Sequence, residues 1–84
     1  MISAFTLVRA VPHRNVQVLE RIENLSLIKE ASLVYGEYDL IVETSTNTIE
    51  ELNKFIYNVL RKIPHITMTT TMIVAEFPVH KHKP

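Results

Sequence analysis

Four segments of the chain carry the apolar, β-branched and aromatic residues that are typical of β-strands, and two others show helical periodicity. The first helical segment, residues 14–24, places Val16, Leu19 and Ile22 at a spacing of three. The second repeats apolar residues at i, i+3, i+4 and i+7 from Ile49 to Ile63. The strand-like segments span residues 2–10, 27–35, 38–44 and 66–77. The predicted order of elements is β-α-β-β-α-β.

Local signals predict where the second helix begins and ends. Thr48 with Glu51, or Asn47 with Glu50, can form a capping box at its start. Pro64 follows the last periodic residue, and proline cannot continue a helix. The sequence therefore predicts one helix that runs up to this proline.

A short connection separates the second and third strand patterns, since only Gly36 and Glu37 lie between them. A two-residue Gly-X loop between strands predicts a type II′ hairpin turn, because glycine adopts positive φ without steric cost. With this hairpin at its centre, the element order is that of a split βαβ arrangement. We therefore expect an α+β, ferredoxin-like fold, in which a four-stranded antiparallel sheet carries two helices on one face.

Apolar side chains occupy both faces of the predicted strands. In the first strand, Ala4 and Val8 alternate with Phe5 and Leu7, and the third and fourth strands are also two-sided. Two helices can cover only one face of the sheet. If the other face were exposed to water, its side chains would be polar, but here they are apolar. We expect the other face to pack against a second copy of the chain, which gives an obligate homodimer.

Composition limits the classes of function. The 84 residues include nine Lys+Arg, nine Asp+Glu and no cysteine, and 46% of them are hydrophobic. A net charge of zero argues against nucleic-acid binding by this chain itself, and the missing cysteines exclude disulfides and thiolate chemistry. No apolar run reaches membrane-spanning length. We expect one cytoplasmic domain over residues 1–78 and a polar tail over residues 79–84.

Asp39 is the most informative candidate for binding chemistry, because it lies in an otherwise apolar segment where a carboxylate is costly without a partner. It either accepts backbone N–H groups of its own hairpin or binds the amine of a ligand whose carboxylate contacts exposed turn amides. Thr67, Thr69 and Thr71 share one face of the fourth strand. Their hydroxyls indicate bonds across the sheet, unless a small polar ligand lies beside them.

Catalytic and metal-binding patterns are weak. His80 and His82 lack the third and fourth ligands of a zinc site, and no serine lies in a nucleophile motif. An enzyme of this topology would need a buried acid or base between sheet and helices, for which Glu30, Glu43 and the scattered histidines are candidates. We expect no catalytic residue, no bound metal and no cofactor.

Three local patterns, in their order along the chain, resemble the ligand-binding module of the Lrp/AsnC regulators, which is called the RAM domain. They are VYGEYDLIVE, with Gly36 and Asp39 at the family's G-x-x-D spacing; EELNKFIYNVLRKIP, a helix pattern that ends in Ile-Pro; and TTTMIV, with Thr69 and Thr71. The similarity covers nearly the whole chain. The family often has glycine after Ile-Pro, where this chain has His65.

This resemblance implies a domain that dimerises through its sheets, assembles further into octamers or decamers, and binds amino-acid effectors between dimers. Gly36 and its neighbours would contact the effector through their backbone, and Asp39 would bind its amino group. Tyr38 would form a wall or offer its hydroxyl, and Thr69 and Thr71 would offer hydroxyls. Full-length members also carry a helix-turn-helix domain, which we do not expect here because the first predicted strand begins at Ile2. The resemblance therefore implies a stand-alone domain that acts on DNA-binding relatives.

These observations support three hypotheses about function. The first is a non-enzymatic amino-acid sensor whose ligand shifts the assembly equilibrium through differential affinity. The second is a small dimeric enzyme of monooxygenase or isomerase type. The third is a purely structural assembly module that binds no ligand.

Overall fold

The computed structural model of the chain describes residues 1–75. The elements follow the predicted order. Within the described residues, no helix is both long enough and apolar enough to cross a membrane. The bounds are β1 Ile2–Ala10, α1 Asn15–Glu23, β2 Ile28–Leu33, β3 Leu40–Thr46, α2 Ile49–Asn58, a 3₁₀ turn Leu60–Lys62, and β4 Ile66–Ile73.

The strands form one antiparallel sheet in the order β2-β3-β1-β4, so β1 and β3 lie at its centre. Both helices pack their apolar stripes on the same face of this sheet, where they form a single hydrophobic core. The predicted α+β, ferredoxin-like fold is confirmed.

The core lies between the helices and alternate residues of the two central strands. These alternate residues are buried, whereas the residues between them are half-buried. The buried set packs against Val18 and Ile22 of α1 and against Leu52 and Ile56 of α2. Each buried aliphatic side chain of this size contributes about 1.5–3 kcal/mol to folding. The buried strand residues are Ala4, Thr6, Val8, Ala10, Leu40, Val42, Thr44 and Thr46.

The opposite face of the sheet, which we call the open face, is also apolar. Phe5, Leu7 and Ile41 are half-buried there, and Met68 and Met72 are 47% and 48% exposed. No segment of residues 1–75 covers this face. An exposed apolar face of this kind is typical of subunit interfaces. The sheet-to-sheet homodimer stays a prediction, because the structure holds one chain.

The connection between β2 and β3 is longer than the two-residue turn that the sequence predicted. β2 ends at Leu33 and β3 begins at Leu40, so residues 34–39 form the loop. Gly36 has a φ of +125°, which agrees with its expected role as the residue of positive φ. The type II′ prediction was wrong because the bond that closes the loop runs from Val34 N to Asp39 O, at 2.9 Å, which leaves four residues, 35–38, between the bonded pair instead of two.

The helix predicted over residues 49–63 is shorter than expected. Of the two predicted caps, the structure has Thr48 with Glu51: Thr48 Oγ1 accepts from Glu51 N at 3.1 Å. The return bond of the capping box differs, since Glu51 Oε1 accepts from Asn47 N at 2.7 Å rather than from Thr48 N. The α-helix ends at Asn58, and the 3₁₀ turn follows it. Pro64 explains where the 3₁₀ turn ends, because proline disfavours the helical conformation of the residue before it; Ile63 is accordingly extended, with φ −67° and ψ 131°.

The fourth strand also ends earlier than predicted, at Ile73 rather than Phe77. Val74 still donates its N–H to Ser3 O at 2.8 Å, but residues 74–75 are not in the strand. The remainder of the predicted strand, the predicted tail over residues 79–84, and the histidine pair His80 and His82 lie outside the described residues.

Candidate functional site

The β2–β3 loop is fastened to the end of β1, and we call the loop together with Arg9 and Ala10 the hairpin end. The carboxylate of Asp39 accepts from Ala10 N through Oδ2 at 2.8 Å. Arg9 Nε donates to the carbonyl oxygen of Glu37 at 2.9 Å. These bonds join residues 28 and 29 positions apart. The loop therefore has a defined position relative to the sheet.

The carboxylate of Asp39 accepts a backbone N–H, as one of the two interpretations expected. The donor is Ala10 of β1, however, and not a residue of the hairpin that contains Asp39. The side chain is half-buried. Within residues 1–75, only Oδ2 forms a hydrogen bond, so Oδ1 keeps its capacity to accept one. The structural interpretation and the ligand-binding interpretation of Asp39 are thus compatible, since each uses a different oxygen.

Arg9 belongs to the hairpin end and was not singled out in the sequence. Its guanidinium carbon lies 5.4 Å from the centre of the Tyr38 ring, a cation–π distance. Within the described part of the chain, Arg9 forms no ion pair with Asp39. The hairpin end therefore carries one positive and one negative side chain, which are not paired with each other. The available signal was that Arg9 is the one charged residue in the strand ISAFTLVRA.

Tyr38 is bound to β4 through its hydroxyl. The Tyr38 OH lies 3.0 Å from Thr70 Oγ1 and 4.0 Å from Met68 Sδ. This contact fixes the position of the Tyr38 hydroxyl on β4, and both the ring and the remaining hydrogen-bonding capacity of the hydroxyl can still contact a ligand. Thr70, which sequence reasoning passed over, places this contact on the open face.

Thr69 and Thr71 lie on the covered face, opposite to Tyr38 and Thr70. Thr71 Oγ1 is 3.0 Å from the hydroxyl of Thr6, one of the buried core residues. Thr67, predicted on the same face, lies at a register shift and donates to Arg9 O at 3.1 Å.

The two threonines open into a groove between α2 and β4, with a volume of about 280 Å³. Its lining combines hydroxyls, one amide and one guanidinium with apolar side chains, and it includes no carboxylate and no histidine. The guanidinium carbon of Arg61 lies 5.1 Å from the Tyr57 ring centre. The α2–β4 groove is lined by Leu52, Asn53, Ile56, Tyr57, Arg61, Thr69, Thr71 and Ile73.

The predicted binding residues therefore form two groups within one chain. Gly36, Tyr38 and Asp39 lie together at the hairpin end, whereas Thr69 and Thr71 lie in the α2–β4 groove. Adjacent strand residues point to opposite faces, so the sheet separates Thr69 and Thr71 from the Tyr38–Thr70 contact.

The residues proposed for an enzymatic alternative lie elsewhere. Glu30 and Glu43 are cross-strand partners on the open face rather than beneath the helices, and Lys29 Nζ lies 3.8 Å from Glu43 Oε2. His65 has a φ of 76°, the left-handed conformation that glycine would adopt at this position. Among residues 1–75, no three His, Asp or Glu side chains are grouped so that they could hold a metal ion.

Comparison with known proteins agrees with the sequence resemblance. The sequence profile of the Lrp/AsnC ligand-binding domain matches residues 3–84. The chain belongs to the Lrp/AsnC ligand-binding domain family. A family relative is PH1916, an uncharacterized HTH-type transcriptional regulator of Pyrococcus horikoshii, 31% identical over 74 residues. That alignment covers 84% of this chain and 49% of PH1916, so the chain spans about half the length of the curated relatives that it matches.

Solved structures of similar shape include FFRP-DM1, with 43% identity and a TM-score of 0.86. The alignment covers 89% of this chain and all of that one. A remoter structure is the Neisseria meningitidis transcriptional regulator NMB0573 in complex with L-Met, with 12% identity and a TM-score of 0.81. The alignment covers 94% of this Lrp/AsnC domain and 53% of the Neisseria protein. At this level of identity the similarity shows a common fold and nothing more.

Proposed function

We propose that this Lrp/AsnC domain is a non-enzymatic sensor that binds an amino acid between copies of itself and so changes its assembly. The observation that carries the proposal is the separation of the two binding groups on opposite faces of one sheet. A ligand that needs both groups must bridge two subunits. Because it then binds only the assembled state, it shifts the equilibrium towards assembly.

The hairpin end has the groups that the head of an amino acid requires. Asp39 Oδ1 accepts from the ammonium group, and the ring of Tyr38 forms a wall. Gly36 is exposed and a Cβ added to it would meet nothing within 4 Å, so a ligand carboxylate can approach the loop backbone closely. The hydroxyls of Thr69 and Thr71 contact the ligand from the other copy.

Assembly involves two different surfaces. The apolar open face pairs two chains into a dimer through their sheets, and the hairpin end of one dimer then meets the α2–β4 groove of another. Contacts between different patches of this kind generate rings when the rotation from one dimer to the next closes. Four or five dimers give the octamer or decamer that the family resemblance implies.

The proposed partners are DNA-binding regulators of the same family. PH1916, which this chain matches over about half its length, is a transcriptional regulator. A net charge of zero argues against DNA binding by this chain itself. The domain would act in the cytoplasm by joining such regulators in mixed assemblies, with no catalytic step, metal or cofactor.

Thermal shift with each of the twenty proteinogenic amino acids tests this function, with the oligomer size measured in parallel by light scattering. At least one amino acid is expected to raise the melting temperature and to enlarge the assembly. Asp39→Asn should remove both effects, whereas Glu37→Gln, which changes an exposed carboxylate beside it, should leave them. If no amino acid stabilises the wild type, the sensor function fails, and a stable assembly without ligand would favour the structural module.

A further inference from the structure

The α2–β4 groove differs from the hairpin end in its charge. Arg61 is its one cation, Asn53 adds an amide, and Thr69 and Thr71 add hydroxyls, while no acidic side chain lines it. Within residues 1–75, Arg61 forms no ion pair, and its guanidinium lies over the face of the Tyr57 ring. Its guanidinium N–H groups are therefore available to an anionic group in the groove.

The two charged groups of an amino-acid head must be bound at one place, because the ammonium and the α-carboxylate are attached to the same carbon atom. The Asp39 carboxylate, which can pair with the ammonium, lies at the hairpin end together with the loop amides and Arg9. The groove has no carboxylate to bind an ammonium. The head group consequently binds at the hairpin end of one copy, and the ligand's side chain extends into the groove of the other.

We propose that the α2–β4 groove selects a dicarboxylic amino acid, with Arg61 as the residue that binds the side-chain carboxylate and with Asn53 and Thr69 as further hydrogen-bond donors. This inference rests on the proposed function and names its substrate class. The ammonium pairs with Asp39, the α-carboxylate contacts the loop amides near Arg9, and the second carboxylate pairs with Arg61. The apolar stem of the ligand lies on Ile73 and Tyr57.

Charge, and not size, is the basis of this selection. Glutamate and glutamine have nearly the same shape, so a pocket that measures volume alone cannot separate them. A hydrogen bond to a charged group is stronger than a neutral one by an amount that corresponds to about tenfold in affinity. The exposure of Arg61 keeps the expected preference near that value rather than far above it.

The test is isothermal titration of the full chain with L-glutamate, L-aspartate, L-glutamine and L-leucine. The wild type should bind one of the two acids about tenfold more tightly than glutamine. In Arg61→Gln this preference should disappear, with the affinity for glutamine changed by less than about twofold. Lys62→Gln removes the adjacent cation, which does not line the groove, and should keep the preference.

Each other outcome has a defined meaning. Equal weakening of acidic, amide and aliphatic ligands by Arg61→Gln would place the α-carboxylate in the groove and overturn the side-chain assignment. Tightest binding of leucine, unaffected by Arg61→Gln, would overturn the dicarboxylate selection and leave the sensor function intact. Absence of binding by every amino acid would overturn both.

Discussion

Removing the Asp39 carboxylate should destabilise the domain even without ligand, because Asp39 Oδ2 is the acceptor for Ala10 N at 2.8 Å. Ala10 is only 6% exposed, so its N–H has little access to water once this acceptor is lost. Leaving a buried donor unpaired costs about 1–3 kcal/mol. Water can partly replace the half-buried carboxylate, so we expect Asp39→Ala to lower the free energy of unfolding by about 1–2 kcal/mol. For a domain of this size, that corresponds to a fall in melting temperature of about 4–16 °C.

Asp39→Asn is the matched control, because its amide oxygen can still accept from Ala10 N. It should cost less than about 1 kcal/mol. Urea denaturation at several fixed protein concentrations measures both variants and separates folding from association. Equal destabilisation by alanine and asparagine, or none by alanine, would refute the role of this hydrogen bond in holding the loop. Ligand binding should fail in both variants, because both lack the negative charge of Asp39. Only Asp39→Ala should also lose stability, because only alanine lacks an acceptor for Ala10 N.

Three further predictions concern the helix cap, the turn before β4 and the open face. Thr48→Ala should lower the free energy of unfolding by about 0.5–2 kcal/mol in urea denaturation, with Thr48→Ser close to neutral; an unchanged alanine variant would contradict the cap. His65→Gly should raise the free energy of unfolding by about 1 kcal/mol, because the left-handed φ of 76° strains histidine but not glycine. A lower free energy of unfolding in this variant would contradict the strain at His65. Met72→Lys should reduce the oligomer size in light scattering with an unchanged circular dichroism spectrum, and an unchanged size would exclude the open face as the interface.

Periodicity and capping were sufficient to predict the fold, because both are properties of neighbouring residues. The bounds of β1 agree with the predicted residues 2–10, and Thr48 caps α2 as expected. The β2–β3 loop could not be predicted in the same way. Its position depends on bonds from Asp39 to β1, which is distant in sequence, and no local pattern encodes that pairing.

The candidate site was predicted in part. The period of two correctly placed Thr69 and Thr71 on one face of β4. Which face the helices cover was not evident, because Met68 and Met72 on one side are as apolar as Ile73 on the other. The separation of these threonines from Tyr38 therefore emerges only from the packed sheet. Whether these residues bind an effector stays a prediction.

Subunit complementation tests most directly the claim that one effector site is built from two copies. Asp39→Asn disables the hairpin end, and Thr69→Val with Thr71→Val disables the α2–β4 groove; each variant alone should bind no amino acid in isothermal titration. After the two are refolded together, random assortment should restore binding at about a quarter of the sites, where an intact hairpin end meets an intact groove. Restored binding is the result that the proposed site predicts. A mixture as inactive as its components, or undiminished binding by either variant alone, would contradict it.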